Sequence, residues 1–384
     1  MSDGRRVLIV DALHLAYKAA YGRMPQLTAT VQLDGQLQQI NTVIPTFISK
    51  TIHRWSLGGV YPTIVCFDGR NCNISRKAYF KSLSAKKAID SAEAGAQPDQ
   101  VAYKGSRGSQ TDKFYQSVNL TYSLLYTGGV GVLRAEKYEA DDLVKAAVDL
   151  AKIQYPGMPI DVVTGDADLV PLVDDQVSVF LSSRKRTYAT DESIKKNHYC
   201  QITPENYSTV LEDLTSYKSI PVPYNTLLLV KLLRGDKSDG IGGYPKFTPT
   251  KYKKLIEEMQ NDGVDFADTF RYGCPVEIYC DRLTGDVIPP EKLATTPADT
   301  LCVKYQDPVE LTNMLKILEK YLDESIIQHV AEIYRGINLN GVFFDGVDQR
   351  FWRKPARLKI DVSSYNYAKL QQVLQPLRIH LPVI

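Results

Sequence analysis

The chain has 384 residues, of which 44% are hydrophobic and 23% charged, so wholesale disorder is excluded and several domains can form. The net charge of +2 is too small to indicate nucleic-acid binding by itself. The six cysteines form no CxxC pair, which argues against a zinc ribbon, and no apolar run approaches the roughly 20 residues of a membrane span. The N-terminus lacks the pattern of a signal peptide. We therefore expect a cytoplasmic protein with reduced thiols and no membrane contact.

Predicted strands and helices alternate through the first half of the chain. The strands are expected at 5–11, 63–68, 129–133, 159–164 and 178–181. The helices are expected at 12–21, 36–57, 114–127 and 139–152. This alternation predicts an α/β domain with a mostly parallel central sheet, and ligands bind such sheets at the carboxyl ends of the strands.

Three further segments complete the predicted organisation. Residues 69–113 are polar and basic without a long apolar pattern, so we expect an excursion from the core. Residues 224–262 predict a helix, a tight glycine-rich turn and a second helix, and residues 308–335 predict one more helix. The expected domains are a core at 1–219, the predicted helix, turn and helix at 220–262 and a C-terminal region of unknown role at 263–384.

Carboxylates cluster where the predicted strands end and one predicted helix begins. They are Asp11, Asp68, Glu139, Asp141, Asp142, Asp166 and Asp168, with Asp236 and Asp239 in the glycine-rich turn. Because like charges repel strongly at a few ångströms, so many carboxylates converge only around cations. Oxygen ligands without His or Cys favour Mg²⁺ or Mn²⁺, and two such ions about 4 Å apart are a standard arrangement for phosphodiester hydrolysis.

Each acidic element also has a simpler explanation. The acidic turn at 139–142 complements a helix N-terminus, and Asp11 caps the helix that follows it. Asp166 and Asp168 are common turn formers, and the GDKSDG segment is compatible with an ordinary loop. The metal hypothesis depends on the whole set, because capping alone does not account for four acidic elements that all lie at strand ends or turns.

Six motifs together resemble the 5′-nuclease or flap-endonuclease superfamily, especially its bacterial and bacteriophage 5′–3′ exonuclease branch. They are VDALHLAYK (10–18), FDG (67–69), YKGSR (103–107), EADDL (139–143), TGDADL (164–169) and LLRGDKSDGIGG (232–243). The resemblance covers about residues 5–262. It implies a PIN-like α/β core, a helical arch at about 69–113 and a helix–three-turn–helix element, followed by an additional C-terminal region.

The resemblance also implies two metal sites. The first would be held by Asp68, Glu139 and Asp141, with Asp11 acting directly or through water. The second would be held by Asp166, Asp168 and one or both of Asp236 and Asp239, and Asp142 could serve either site.

Basic and aromatic residues of the arch are implied to contact the substrate. Lys104 and Arg107 match arch residues that act on the scissile phosphate, where a lysine stabilises developing charge. Lys18 falls where the family often has arginine and is the third expected catalytic residue. Further DNA contacts are expected from Tyr103, Arg76 and Lys77. Tyr79, Phe80 and Tyr103 either stack on unpaired bases or pack within the arch.

The glycine-rich turn is implied to bind duplex phosphates through backbone amides. Its expected contacts are Gly240, Gly242 and Gly243, with Lys246 and Lys251 adding sequence-independent affinity. In relatives this turn often holds K⁺. Here the second glycine pair of the family pattern is missing, since Tyr244 and Pro245 follow Gly243, and the sequence does not decide whether this turn binds K⁺.

These features together predict a structure-selective nuclease that uses two Mg²⁺, with Mn²⁺ as a substitute. Its substrates would be DNA with 5′ flaps, nicks or free 5′ ends, and also RNA–DNA hybrids, during replication or repair. We expect a monomer in the cytoplasm, or in the host cytoplasm if the chain is phage-encoded, with replication proteins as candidate partners of the C-terminal region. The alternatives are a PIN-type ribonuclease and a catalytically silent protein that binds DNA junctions.

Overall fold

The computed structural model divides the chain into two compact units. It describes residues 5–21, 27–33, 36–72, 74–93, 112–182, 199–214, 222–236, 239–245, 247–273, 276–284, 286–339 and 363–382. The first unit comprises 1–72, 107–218 and 356–384, and the second comprises 73–106 and 219–355. These units differ from the predicted domains, because the chain leaves the first unit twice and returns to it at its C-terminal end.

The described residues form strands and helices along the whole chain, numbered here in chain order. The strands are β1 Val7–Asp11, β2 Thr28–Leu33, β3 Gln36–Asn41, β4 Thr63–Phe67, β5 Gly131–Arg134, β6 Ile160–Thr164, β7 Val177–Ser182, β8 Tyr199–Ile202, β9 Gly235–Asp236, β10 Ile241–Gly242, β11 Val276–Asp281, β12 Val287–Ile288 and β13 Leu301–Gln306. The helices are α1 Ala12–Tyr21, α2 Val43–Trp55, α3 Ile74–Glu93, α4 Asp112–Thr127, α5 Ala140–Gln154, α6 Tyr207–Leu214, α7 Leu227–Arg234, α8 Pro249–Asn261, α9 Phe266–Thr269, α10 Pro290–Leu293, α11 Val309–Leu318, α12 Glu324–Ile337 and α13 Tyr367–Leu374.

A six-stranded sheet forms the centre of the first unit, in the order β5-β4-β1-β6-β7-β8. The pairings from β5 to β7 are parallel, and β8 pairs antiparallel with β7. Every residue of β1, β4 and β6 is buried, which explains why these strands are near-continuous apolar runs. The predicted α/β class with a mostly parallel central sheet is confirmed.

One predicted helix of the first unit is wrong at its beginning. Residues 36–41 form β3, which pairs antiparallel with β2 in a hairpin, and α2 starts only at Val43. Pro45 explains the boundary. Proline is tolerated in the first turn of a helix, where α2 places it, but it would break the interior of a helix that began at residue 36.

The C-terminal end of the chain packs on the first unit. Leu370 and Leu374 of α13 are fully buried in its hydrophobic core, and Ser363 forms a bridge to Thr63 at the start of β4. Residues 363–382 therefore belong to the core, which the predicted boundary at residue 263 does not anticipate.

The second unit contains the predicted helix, turn and helix as α7, a short β9–β10 pairing and α8. It also holds a three-stranded antiparallel sheet in the order β12-β11-β13. The single helix expected at 308–335 is two helices, α11 and α12. Across the part of the chain that the structure describes, no helix is both long and apolar enough to cross a membrane.

Candidate metal centre

Three neighbouring strands of the parallel sheet each lead to a carboxylate. Asp11 is the last residue of β1, Asp68 follows β4 directly, and Asp166 lies two residues beyond the end of β6. Since β1 lies between β4 and β6 and all three run parallel, the three carboxylates lie at the same edge of the sheet.

Five carboxylates form two groups at this edge, and one residue belongs to both. Oxygen atoms of Glu139, Asp141 and Asp142 lie within 4.8 Å of one another. Oxygen atoms of Asp141, Asp166 and Asp168 meet the same limit. Asp141, in the first turn of α5, therefore joins the group at the helix N-terminus to the group in the loop after β6.

The beginning of α5 is held by the same acidic residues. The backbone N–H of Glu139 donates to Asp142 at 3.1 Å, and the N–H of Ala140 donates to Asp68 Oδ1 at 2.7 Å. Asp142 N–H donates to Asp141 Oδ1 at 2.8 Å. The capping explanation and the metal-site explanation therefore both apply. These hydrogen bonds cap the N-terminus of α5, and the carboxylate oxygens still lie close enough together to share a cation.

Hydrogen bonds and a close approach to His14 also fix the loop after β6. Asp166 Oδ1 accepts from the N–H of Asp168 at 2.9 Å, and the Asp166 N–H donates to Thr164 Oγ1 at 3.0 Å. A Cβ on Gly165 would lie 1.9 Å from ring atoms of His14, so only glycine fits beside this imidazole. Burial, together with the positive charge of Lys18, lowers the pKa of His14 to about 4.

Asp11 is buried behind these groups. It accepts hydrogen bonds from the N–H groups of Leu13 and His14 at 3.1 and 3.2 Å, and from Thr164 Oγ1 at 2.9 Å. Burial raises its pKa to about 7 in spite of the bonds from His14 and Thr164, and nearby Asp166 and Asp68 raise it further. Asp11 and Asp68 lie outside both groups of clustered oxygens, and each caps a helix.

The donor set fits a divalent cation. Both groups consist of carboxylate oxygens alone, which are the ligands that hard cations such as Mg²⁺ and Mn²⁺ prefer. Three carboxylates within 4.8 Å repel one another. A bound cation removes that repulsion.

Lys18 lies on α1 of the same unit. Its Nζ is 3.4 Å from Ser182 Oγ and 4.1 Å from the centroid of the Tyr199 ring, and burial lowers its pKa to about 8. The ammonium group is therefore oriented by β7 and β8. Its expected role as a phosphate contact stays a prediction.

Asp236 and Asp239 belong to the second unit. Asp236 forms an ion pair with Lys231 Nζ at 2.8 Å, and the two side chains are only 12% and 5% exposed. The N–H of Asp239 donates to Asp236 at 3.4 Å, and Asp239 is buried. Lys231 thus balances the charge of Asp236, a partner that the sequence prediction missed. Metal binding by these two aspartates stays a prediction.

Of the residues predicted to lie in the arch or to contact DNA, some are not described by the structure and others are buried. Tyr103, Lys104, Arg107 and Lys246 lie outside the described residues. Arg76 is buried and donates to the carbonyl oxygen of Asn338 at 3.3 Å, so its guanidinium is not presented to DNA in this conformation. Phe80 is fully buried against Gly336, so its ring packs within the unit, whereas Tyr79 is half-buried and donates to the carbonyl oxygen of Glu332.

The remaining predicted DNA contacts are accessible or form part of the glycine-rich turn. Lys77 and Lys251 are exposed. Gly240 has a φ of 72°, Gly242 is exposed, and a Cβ on Gly243 would lie 2.3 Å from the backbone of Arg234. Gly240 and Gly243 are therefore required by the turn itself, and contact of the three glycines with phosphates stays a prediction.

Comparison with known proteins connects this centre to one family. A family model described as 5′-3′ exonuclease, N-terminal resolvase-like domain, matches residues 6–199. DNA polymerase I of Mycobacterium bovis is 30% identical over 255 residues, covering 62% of this chain and 26% of the relative. DNA polymerase I of Caldicellulosiruptor bescii is 26% identical over 159 residues, covering 41% and 16%. The chain thus spans only a minor part of these relatives.

Among solved structures, the T5 5′-exonuclease with divalent metal ions (zinc) bound has a TM-score of 0.44 and 14% identity. The match covers 87% of this chain and 88% of that one.

Proposed function

Because the chain belongs to the family described as 5′-3′ exonuclease, N-terminal resolvase-like domain, we propose that it is a structure-selective, metal-dependent 5′-nuclease that hydrolyses phosphodiesters in DNA. The observation that carries the proposal is the pair of carboxylate groups that share Asp141 at the carboxyl edge of a parallel sheet. That edge is where α/β folds bind their ligands.

The proposal assigns two cations, taken as Mg²⁺ with Mn²⁺ as a substitute. Glu139, Asp141 and Asp142 would hold one, and Asp141, Asp166 and Asp168 would hold the other. When bound, such cations supply Lewis-acid stabilisation of the phosphodiester oxygens. The protein's own contribution is a rigid set of oxygens, since bonds from the backbone of α5 and from the loop after β6 orient three of the five carboxylates.

Basic side chains would position the substrate. Lys18, held beside Ser182 and Tyr199, would contact a phosphate next to the cations as a compact point charge. Lys104 and Arg107 would act on the scissile phosphate from the arch. The exposed Lys77 and Lys251 would add contacts to the duplex, with the glycine-rich turn and its K⁺ as a further phosphate contact.

The proposed substrates are DNA with 5′ flaps, nicks or free 5′ ends, and RNA–DNA hybrids. The motif set of the 5′–3′ exonuclease branch and the DNA polymerase I relatives support a role in replication or repair. The chain would work as a monomer in the cytoplasm, with replication proteins as partners of its C-terminal region.

Cleavage of a 5′-labelled flap duplex tests the proposal. The wild type, Asp166→Ala and the control Asp149→Ala would each be assayed with Mg²⁺, with Mn²⁺ and with EDTA. Asp149 belongs to the same unit but pairs with Lys145 outside both carboxylate groups, so its variant controls for the loss of one carboxylate away from the centre. We expect cutting near the junction only with metal, retained by Asp149→Ala and lost by Asp166→Ala, which still binds the flap.

Two other outcomes select the alternatives. Wild type that binds the flap but never cuts it with either metal would be a catalytically silent junction binder. Wild type that ignores DNA and cuts single-stranded RNA would be a PIN-type ribonuclease. If cutting does occur, the length of the labelled product distinguishes exonuclease from flap-endonuclease action.

A further inference from the structure

Arg134 is the last residue of β5 and lies in register with Phe67, the residue before Asp68. Its Nε–H donates to the backbone carbonyl oxygen of Asp68 at 2.8 Å, and its Nη1–H donates to Asn119 Oδ1 on α4 at 2.7 Å. One side chain thus connects the loop that carries Asp68 to a helix on a different part of the unit.

The other half of the same peptide group is also held. The N–H of Gly69 donates to the carbonyl oxygen of Tyr138 at 2.9 Å. A Cβ on Gly69 would lie 1.6 Å from the carbonyl oxygen of Ala135. The loop is therefore in direct contact with the segment before α5, with no room for a side chain at residue 69. The peptide plane between Asp68 and Gly69 is therefore clamped at its oxygen by Arg134 and at its nitrogen by Tyr138.

The orientation of this peptide determines where the Asp68 side chain points. Asp68 Oδ1 accepts from the N–H of Ala140, the first residue of α5. Asp141, which belongs to both carboxylate groups, is the next residue of that helix. A rotation of the Asp68–Gly69 peptide would therefore move the cap of α5 and, with it, the first turn that carries Asp141.

We propose that Arg134 is a positioning residue of the metal centre, acting through the backbone of Asp68 to hold the N-terminus of α5. This role is positioning and not catalysis, because its Nε–H and Nη1–H donate to a carbonyl and to Asn119 and not to a clustered carboxylate. The guanidinium also lies 5.7 Å from the centroid of Tyr122, whose ring packs edge-on against Phe67. The inference rests on the proposed use of a divalent cation but not on the identity of the nucleic acid.

Mn²⁺ binding to the DNA-free protein, followed by electron paramagnetic resonance, tests this role. Arg134→Met keeps much of the side-chain stem but removes every donor, and we expect about 10- to 100-fold weaker Mn²⁺ binding, as for other residues that orient metal ligands. Arg134→Lys retains one donor for the Asp68 carbonyl and should recover most of the affinity. Asn119→Ala removes only the second bond and should bind Mn²⁺ like the wild type.

The thermal melting of each variant in EDTA separates positioning from general stability. The proposal is overturned if Arg134→Met binds Mn²⁺ like the wild type, or if Asn119→Ala weakens binding as much. It is also overturned if Arg134→Met has lost its folded structure in EDTA, or if Arg134→Lys recovers no affinity. Wild type that binds Mn²⁺ but cuts no DNA would refute the proposed nuclease function while leaving the role of Arg134 intact.

Discussion

The buried ion pair between Lys231 and Asp236 makes the sharpest prediction about stability. Its Nζ–Oδ2 distance is 2.8 Å, and its side chains are 5% and 12% exposed. Removal of one partner of a buried ion pair typically costs about 3–5 kcal/mol, because the other charge stays in a poorly solvated place without its counter-ion. We therefore expect Lys231→Met to lower the free energy of unfolding of the second unit by about that amount.

An exposed pair in the same unit is the matched control. Lys254 and Glu258 lie one turn apart on α8, 3.4 Å from each other, with side chains 76% and 47% exposed. Water and salt screen such a pair, so Lys254→Met should cost about 0.5 kcal/mol or less. The two lysine-to-methionine changes differ mainly in burial, and the comparison therefore isolates the cost of losing a buried ammonium group.

Urea unfolding followed by far-UV circular dichroism, at neutral pH with EDTA present, measures both variants. The double variant Lys231→Met/Asp236→Leu should recover most of the lost free energy, because an apolar pair of similar volume is often as stable as a buried ion pair. The reasoning is refuted if Lys231→Met unfolds at the same urea concentration as Lys254→Met. In that case the pair with Lys231 is not what compensates the charge of Asp236.

Three further predictions concern the first unit. Asp141→Asn should weaken Mn²⁺ binding in calorimetry far more than Asp149→Asn, because Asp141 belongs to both carboxylate groups; equal affinities would contradict the shared role. Gly69→Ala should destabilise the unit by about 1–3 kcal/mol or more through its clash with a backbone oxygen and should also weaken Mn²⁺ binding. Gly157→Ala, beyond the far end of α5 with open space around it, should leave Mn²⁺ binding unchanged, and a loss there would count against the argument. Burial lowers the pKa of His53, so its contribution to stability is present above the unfolded pKa of about 6.5 and is lost as the pH falls. His53→Gln should therefore lose less unfolding free energy than the wild type when chemical denaturation is repeated at acidic pH, and parallel losses would exclude this contribution.

Much of the fold of the first unit could be predicted because it depends on local patterns. Buried parallel strands are short apolar runs, and three of these runs lead into aspartates, so the edge of the sheet and its carboxylates follow from residue order alone. The helix, glycine turn and helix of the second unit were predicted on the same basis. The error at 36–41 has a local cause too, since Pro45 marks the true start of α2.

Other features were decided only by contacts between residues far apart in the chain. Arg134 and Asp68 are 66 residues apart in the sequence, and Arg76 and Asn338 are 262 residues apart. Hydrophobic periodicity gives no information about contacts at such sequence separations. The return of residues 363–382 to the first unit is of the same kind.

The sequence by itself thus determined which residue types converge at the sheet edge, because strand direction and strand ends are encoded locally. Only the tertiary structure decided that Asp141 joins the two carboxylate groups, that Asp68 caps α5, and that Lys231 neutralises Asp236. The physical reason is that hydrogen bonds and ion pairs depend on side-chain positions within a few ångströms, and these are set by packing of the whole unit.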